Sequence, residues 1–214
     1  MDRKLLAWGL RGKRTALPRL WLFTDQHRLA DPRESVAALP RGRAGVVLRH
    51  DGDPNRAALG RDLARICRVR NLTLVVAGDA RLAASLKAGL HLRGGLRPCA
   101  FRPRGMVTSS AHSMRDLARA RTAGAALAFL SPAFATDSHP GAPHLGPLRW
   151  SALAARIANR PRLGALGGVD GKTIIRLPAR RCHAAGAIGA LRTIRRALVS
   201  RGNENCMENQ IRDC

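Results

Sequence analysis

Tyrosine is absent from this 214-residue chain, and three tryptophans and four phenylalanines are its only aromatic side chains. So few rings exclude the stacking platforms of single-strand nucleic-acid binders. Carboxylates are scarce too: 14 Asp and Glu stand against 38 Lys and Arg, a formal charge of +24. Such an excess ordinarily points to nucleic acid or another acidic surface. Here the cations are nearly all arginine and run from Arg3 to Arg212 without a dense block, which reads as biased helix exteriors and disfavours a nucleic-acid partner. The cysteines, Cys67, Cys99, Cys182, Cys206 and Cys214, are odd in number and form no C-x-x-C pair, so neither a disulfide framework nor a zinc site is expected. The setting they imply is reduced and cytoplasmic. No apolar run approaches a membrane span. Leu5-Leu6-Ala7-Trp8 is too short for a signal-peptide core and lacks a small-residue cleavage site.

What the chain does have is alternation. Apolar runs of strand length lie at Leu20 to Thr24, Gly45 to Leu48, Leu72 to Ala77, Leu90 to Leu92, Met106 to Ser109, Ala126 to Leu130, Leu163 to Leu166 and Ala184 to Ile188. Helical patterns lie between them at Arg33 to Leu39, Pro54 to Arg68, Ala80 to Lys87, Ser113 to Ala123, Leu148 to Ala158, Lys172 to Arg180 and Leu191 to Val199. Strict alternation predicts parallel strands with crossover helices, and eight strands close a barrel. The fold expected is α/β, a single (β/α)8 barrel over residues 20–200. Residues 1–19 read as an N-terminal extension and 201–214, rich in Asn and Glu, as a disordered tail. Arg93 to Gly105 holds two prolines and three glycines, so the fourth crossover helix is short or missing. Asp31 before Pro32, Asp53 before Pro54, and Ser113 are expected helix caps.

Two strand ends carry small or hydroxyl residues where a helix should begin: Ser109-Ser110-Ala111-His112-Ser113 and Leu166-Gly167-Gly168-Val169. In a parallel α/β protein such ends present backbone N–H groups to an anion, so a phosphorylated ligand is expected. Gly167 to Thr173 ends in the Gly-Lys-Thr of a P-loop, but Gly167 and Gly171 enclose three residues where that motif needs four.

Leu20 to Asp25, Val46 to Arg49, His91, Ser110-Ala111-His112-Ser113, Ser131-Pro132-Ala133-Phe134-Ala135-Thr136 and Gly167-Gly168 succeed one another in the order and approximate spacing of the thiamine-phosphate synthase/TenI family. The chain resembles that family over about residues 20–198. The resemblance implies a TIM barrel that either joins a pyrimidine diphosphate to thiazole phosphate with magnesium, or, in the TenI branch, tautomerises thiazole phosphate. It implies thiazole-phosphate binding at Gly167, Gly168, Ile188 and Gly189, and proton transfer at His112 beside Ser110. The diphosphate half departs from the family pattern. Of Gln-x-Arg-x-Lys only Arg49 survives, with Val47 and Asp51 around it, and an Asp in place of Lys repels a diphosphate. Thr136, Ser138 and His139 stand where the family has T-x-T-K. Ala77-Gly78 replaces an Asn-Asp, leaving Asp79, one position late, as the candidate magnesium ligand, and Arg93-Gly94-Gly95-Leu96 supplies no carboxylate.

The expectation is a thiamine-biosynthesis protein with its thiazole half kept and its diphosphate and Mg2+ half degenerate, a TenI-like tautomerase or a weakened synthase. A non-catalytic phosphate-binding barrel and a basic nucleic-acid-binding module are the alternatives. The implied partners are thiazole phosphate and pyrimidine diphosphate, with no membrane, and assembly is open between monomer and homo-oligomer.

Overall fold

A computed structural model of the chain describes residues 1–11, 15–96, 105–136 and 141–193. Eight strands, β1 (Leu20–Phe23), β2 (Ala44–Leu48), β3 (Thr73–Ala77), β4 (Gly89–Leu92), β5 (Val107–Ala111), β6 (Leu127–Leu130), β7 (Arg162–Ala165) and β8 (Cys182–Ala187), pair in parallel in chain order. β1 also pairs with β8, so the sheet closes into the expected (β/α)8 barrel. Every expected strand is present within a few residues. The runs were legible because strands covered on both faces need apolar residues throughout.

Three of the seven aromatic rings lie inside the barrel. Trp21, Phe23 and Phe129 are buried and meet edge to face, with Phe23 to Phe129 centroids 4.9 Å apart and Trp21 to Phe129 5.8 Å. Glycines on neighbouring strands leave room for them: a Cβ on Gly45 would lie 2.5 Å from the Trp21 ring, and one on Gly186 2.7 Å from Phe23. Large side chains facing small ones fill the barrel as a packed core.

Helices α2 (Arg33–Ala37), α3 (Arg56–Arg70), α4 (Ala80–Ser85), α5 (Met114–Thr122) and α6 (Gly146–Ala155) occupy the first, second, third, fifth and sixth crossovers. Ser113 caps α5 as expected, accepting the Asp116 amide at 3.2 Å. Asp31 and Asp53 accept the Arg33 and Asn55 amides, but their helices begin after Pro32 and Asn55, one to two residues later than expected. In the fourth crossover the described residues Arg93 to Leu96 form a tight turn bridged end to end; residues 97–104 lie outside the described residues.

Two features differ from expectation. The seventh crossover, expected as a helix over Lys172 to Arg180, is a single 3-10 turn, Ile174–Arg176. Pro178 bars helical continuation beyond it. The second is α1 (Arg3–Leu10), a helix within the expected N-terminal extension. Asp2 caps this helix through Lys4 and Leu5, and its other carboxylate oxygen accepts the Gly171 amide at 2.8 Å. The Asp2 amide in turn donates to Ala190 O at 2.7 Å. At its far end Gly9 lies under Leu20, and Arg19 stacks on Trp8 at 4.2 Å. α1 thus runs from the C-terminal end of β7 and β8 to the N-terminal end of β1, the direction of a crossover helix. Beyond β8, Gly189–Leu191 is a 3-10 turn; residues 194–199 of the last expected helix and the tail lie outside the described residues.

Candidate active site

A cleft of about 1070 Å3 opens at the C-terminal ends of the strands. It is lined by Ser110, His112, Arg49, Thr136, Gly167, Gly168, Ile188 and Gly189 among the expected residues. Ser138 and His139 lie outside the described residues. Asp79 does not line the cleft. Its Oδ1 accepts the Leu82 amide at 2.9 Å as the cap of α4, and its Oδ2 lies 3.9 Å from Arg56.

His112 follows β5 directly. Asp116 fixes the backbone there, accepting the His112 amide at 2.8 Å while it also pairs with Arg119. The His112 Nδ1 lies 2.9 Å from the Ser131 carbonyl oxygen. A carbonyl only accepts, so Nδ1 carries the proton and Nε2 of the neutral ring keeps its lone pair. Ser110 Oγ accepts the Gly94 amide at 3.1 Å, which leaves its O–H as a donor.

The loops after β6 and β7 brace each other. Phe134 N donates to Gly167 O at 3.0 Å and Ala133 N to Leu166 O at 2.8 Å. Gly168 has φ +61°, and a Cβ there would sit 2.1 Å from Ala135 O. Glycine is required by this close approach of the β6 loop, a packing reason that sequence reasoning had assigned to the ligand. Gly189 differs: a Cβ there would meet nothing within 4 Å, so the backbone after β8 faces open space. The P-loop look-alike is a local turn in which Asp170 Oδ1 accepts the Lys172 and Thr173 amides.

The floor is formed by His91, which is 3% exposed. Its Nδ1 meets Thr108 Oγ1 at 2.8 Å and its ring packs edge-on against Phe23. Burial, with smaller contributions from the charges of Arg49 and Arg93, pushes it down to about 3, so it is neutral near pH 7.

On the β2 to β4 side the cleft is built of ion pairs. Asp51 lies 3.1 Å from Arg56 and 2.5 Å from Arg93. Asp25 accepts the His27 and Arg28 amides and lies 3.8 Å from Arg49. Burial raises the Asp25 carboxyl, but those amides and Arg49 outweigh it and hold it below the ordinary value. Arg56 and Arg93 were not among the expected site residues; the available signal was Arg93 opening the stretch after β4 that lacks a carboxylate. Magnesium does not fit these donors. It binds through one or two carboxylates together with ligand phosphates, whereas the carboxylates of Asp25, Asp51 and Asp170 are committed to guanidinium or amide groups. Among the described residues no group of three or more His, Cys, Asp or Glu converges on a metal position.

Residues 20–191 match the family described as thiamine monophosphate synthase. The chain belongs to that family. The thiamine biosynthesis bifunctional protein ThiED of Geobacter sulfurreducens is 34% identical over 113 residues, 49% of this chain and 23% of that protein. This chain therefore matches less than a quarter of that relative's length. A thiamine phosphate pyrophosphorylase from Pyrococcus furiosus superposes with a TM-score of 0.67 at 21% identity, covering 79% of this chain and 85% of the other. A KDPG aldolase from Legionella pneumophila, captured with pyruvate as a covalent carbinolamine, gives 0.55 at 10% identity, covering 80% and 82%. These structural likenesses show the fold alone. Among the described residues no helix is long and apolar enough to cross a membrane.

Proposed function

We propose that this member of the thiamine monophosphate synthase family binds a thiazole phosphate at the β7 and β8 ends and tautomerises it without a metal, with His112 as the proton carrier. The supporting observation is the Nδ1 to Ser131 carbonyl hydrogen bond of 2.9 Å, which presents Nε2 as a base on a cleft-lining residue. Nε2 takes a proton from one ring-system carbon and returns it at another, so the substrate is rearranged to the aromatic thiazole with no atom or electron gained or lost. An imidazole suits both halves of this exchange at neutral pH. Ser110 O–H is placed to hold a polar group of the substrate, and the Gly167-Gly168 and Ile188-Gly189 backbone to hold its phosphate.

The test is the rate of aromatisation of the unaromatised thiazole phosphate, followed by its ultraviolet absorbance. His112→Ala should slow the rate by roughly 100-fold or more, the usual worth of a positioned acid/base, and leave the thermal midpoint nearly unchanged. An unchanged rate removes His112 from the chemistry.

A further inference from the structure

We propose that Arg119 of α5, which does not itself line the cleft, is a positioning residue: acting through the turn after β4, it holds the Ser110 hydroxyl in a fixed place beside His112. Arg119 Nε donates to Gly94 O at 2.7 Å, and the Gly94 amide donates to Ser110 Oγ at 3.1 Å. The next amide, that of Gly95, donates to Ser109 Oγ at 3.0 Å. From the other side, Asp116 accepts the Arg119 guanidinium on Oδ1 and the His112 amide on Oδ2. A ring of hydrogen bonds, from Ser110 through Gly94, Arg119 and Asp116 to His112, thus closes at the end of β5 and ties the two residues together by a route outside the cleft.

Only glycine lets the turn dock this closely. Gly94 and Gly95 have φ +55° and +74°, and a Cβ on Gly95 would stand 2.5 Å from the Ala120 amide nitrogen and 2.6 Å from Arg119 Cβ, so the turn lies directly on α5. Arg93 and Gly94 line the cleft, which makes the turn one of its walls, with Arg119 bracing it from behind. A guanidinium suits the place because its planar fork offers Nε to a carbonyl and Nη2 to a carboxylate at once, in fixed directions. Asp116, its side chain only 12% exposed, keeps that fork from turning into water. With Arg119 gone, nothing holds the Gly94 carbonyl, and the amide that anchors the Ser110 oxygen is free to drift. The hydroxyl then loses the one contact that sets its rotation, and misplacing a substrate-holding group lowers the rate even where binding survives.

The inference rests on the reading of Ser110 and His112 as the groups that meet the substrate, and two measurements on the full chain separate it from that reading. In amide hydrogen exchange, Arg119→Gln should speed exchange at Gly94 and Gly95 while the β5 amides and the thermal midpoint stay nearly unchanged. Unaltered exchange at Gly94 would overturn the link whether or not the protein turns over thiazole phosphate. In the aromatisation assay, Arg119→Gln should lower kcat roughly tenfold with KM within about twofold of the parent, the pattern of a lost transition-state placement. The same substitution made in Ser110→Ala should cost almost nothing further, since a residue that acts through Ser110 then has nothing left to position. Equal losses in the two backgrounds would overturn the proposal and assign Arg119 to general stability. A parent without turnover is a failure of the proposed function alone, and exchange at Gly94 then decides the link.

Discussion

Three histidines at the strand ends show how hydrogen-bond partners sort similar side chains into different roles. His50 is buried with both nitrogens engaged, Nδ1 with Thr24 Oγ1 at 2.9 Å and Nε2 with Ala30 O at 3.2 Å, and is structural. His112 has one nitrogen fixed and one toward the cleft. His91 is buried and neutral, and this makes stability depend on pH. An unfolded chain protonates His91 near its ordinary value of 6.5, the folded chain only near about 3. Between these values the unfolded state binds the extra proton, so stability falls as the pH falls below 6.5. The lowered carboxyls of Asp2 and Asp25 act elsewhere: their stabilisation is present above the ordinary value of 3.8 and is lost only as the pH drops through their own lower values. His91 should therefore contribute a slope of about 1.4 kcal/mol per pH unit between pH 6 and pH 4.5. Unfolding free energies from urea titrations over that range should lose that slope in His91→Asn; an undiminished slope would place the proton uptake elsewhere, half-buried His183, also held below its ordinary value, being the next candidate.

Among the elements, the strands were legible and α1 was not. Eight runs of apolar residues, six of them followed directly by Gly, Ser or Asp, announce a closed parallel sheet locally. α1 carries its own local signal, Asp2 as cap and Leu5, Trp8 and Gly9 on one face, but the run was weighed only as a membrane or export segment. What the sequence could not show is where the helix docks, since that depends on Gly171 and Ala190 at the opposite end of the chain. Asp2→Ala removes the acceptor of the Lys4, Leu5 and Gly171 amides, and should lower stability by about 1–2 kcal/mol. Chemical denaturation should show it, with hydrogen exchange rising in residues 3–10 before the strands. Unchanged protection of that helix would mean that Asp2 does not anchor it.

Across the whole molecule, acidic residues favour the ends where the strands finish. Asp25, Asp31, Asp51, Asp53, Asp79, Asp116 and Asp170 all follow C-terminal ends of strands, where several of them cap helices. Cations precede the strands: Arg19, Arg43, Arg70, Lys87, Arg160 and Arg181. Burial, with the like charges of Arg11 and Arg43, keeps Arg19 below the ordinary arginine value. A sequence without a dense basic block thus sets these six cations where the strands begin, while Arg49, Arg56 and Arg93 pair with carboxylates at the other end. At the cleft the same arrangement matters for chemistry. The carboxylates gathered there meet arginines or amides, and those partners could not be found from spacing, since Asp51, Arg56 and Arg93 lie on three different elements. The cleft-lining residues that were legible, His112, Ser110 and the paired glycines, are those whose signal is local to one strand end. The most direct test of a cleft that works without metal is an endpoint incubation of the protein with thiazole phosphate, pyrimidine diphosphate and magnesium, followed by chromatography for thiamine phosphate. The account predicts no product above a heat-killed control. Product that forms with magnesium and disappears with chelator would contradict it, and would mean that these arginine-bound carboxylates release to hold the ion.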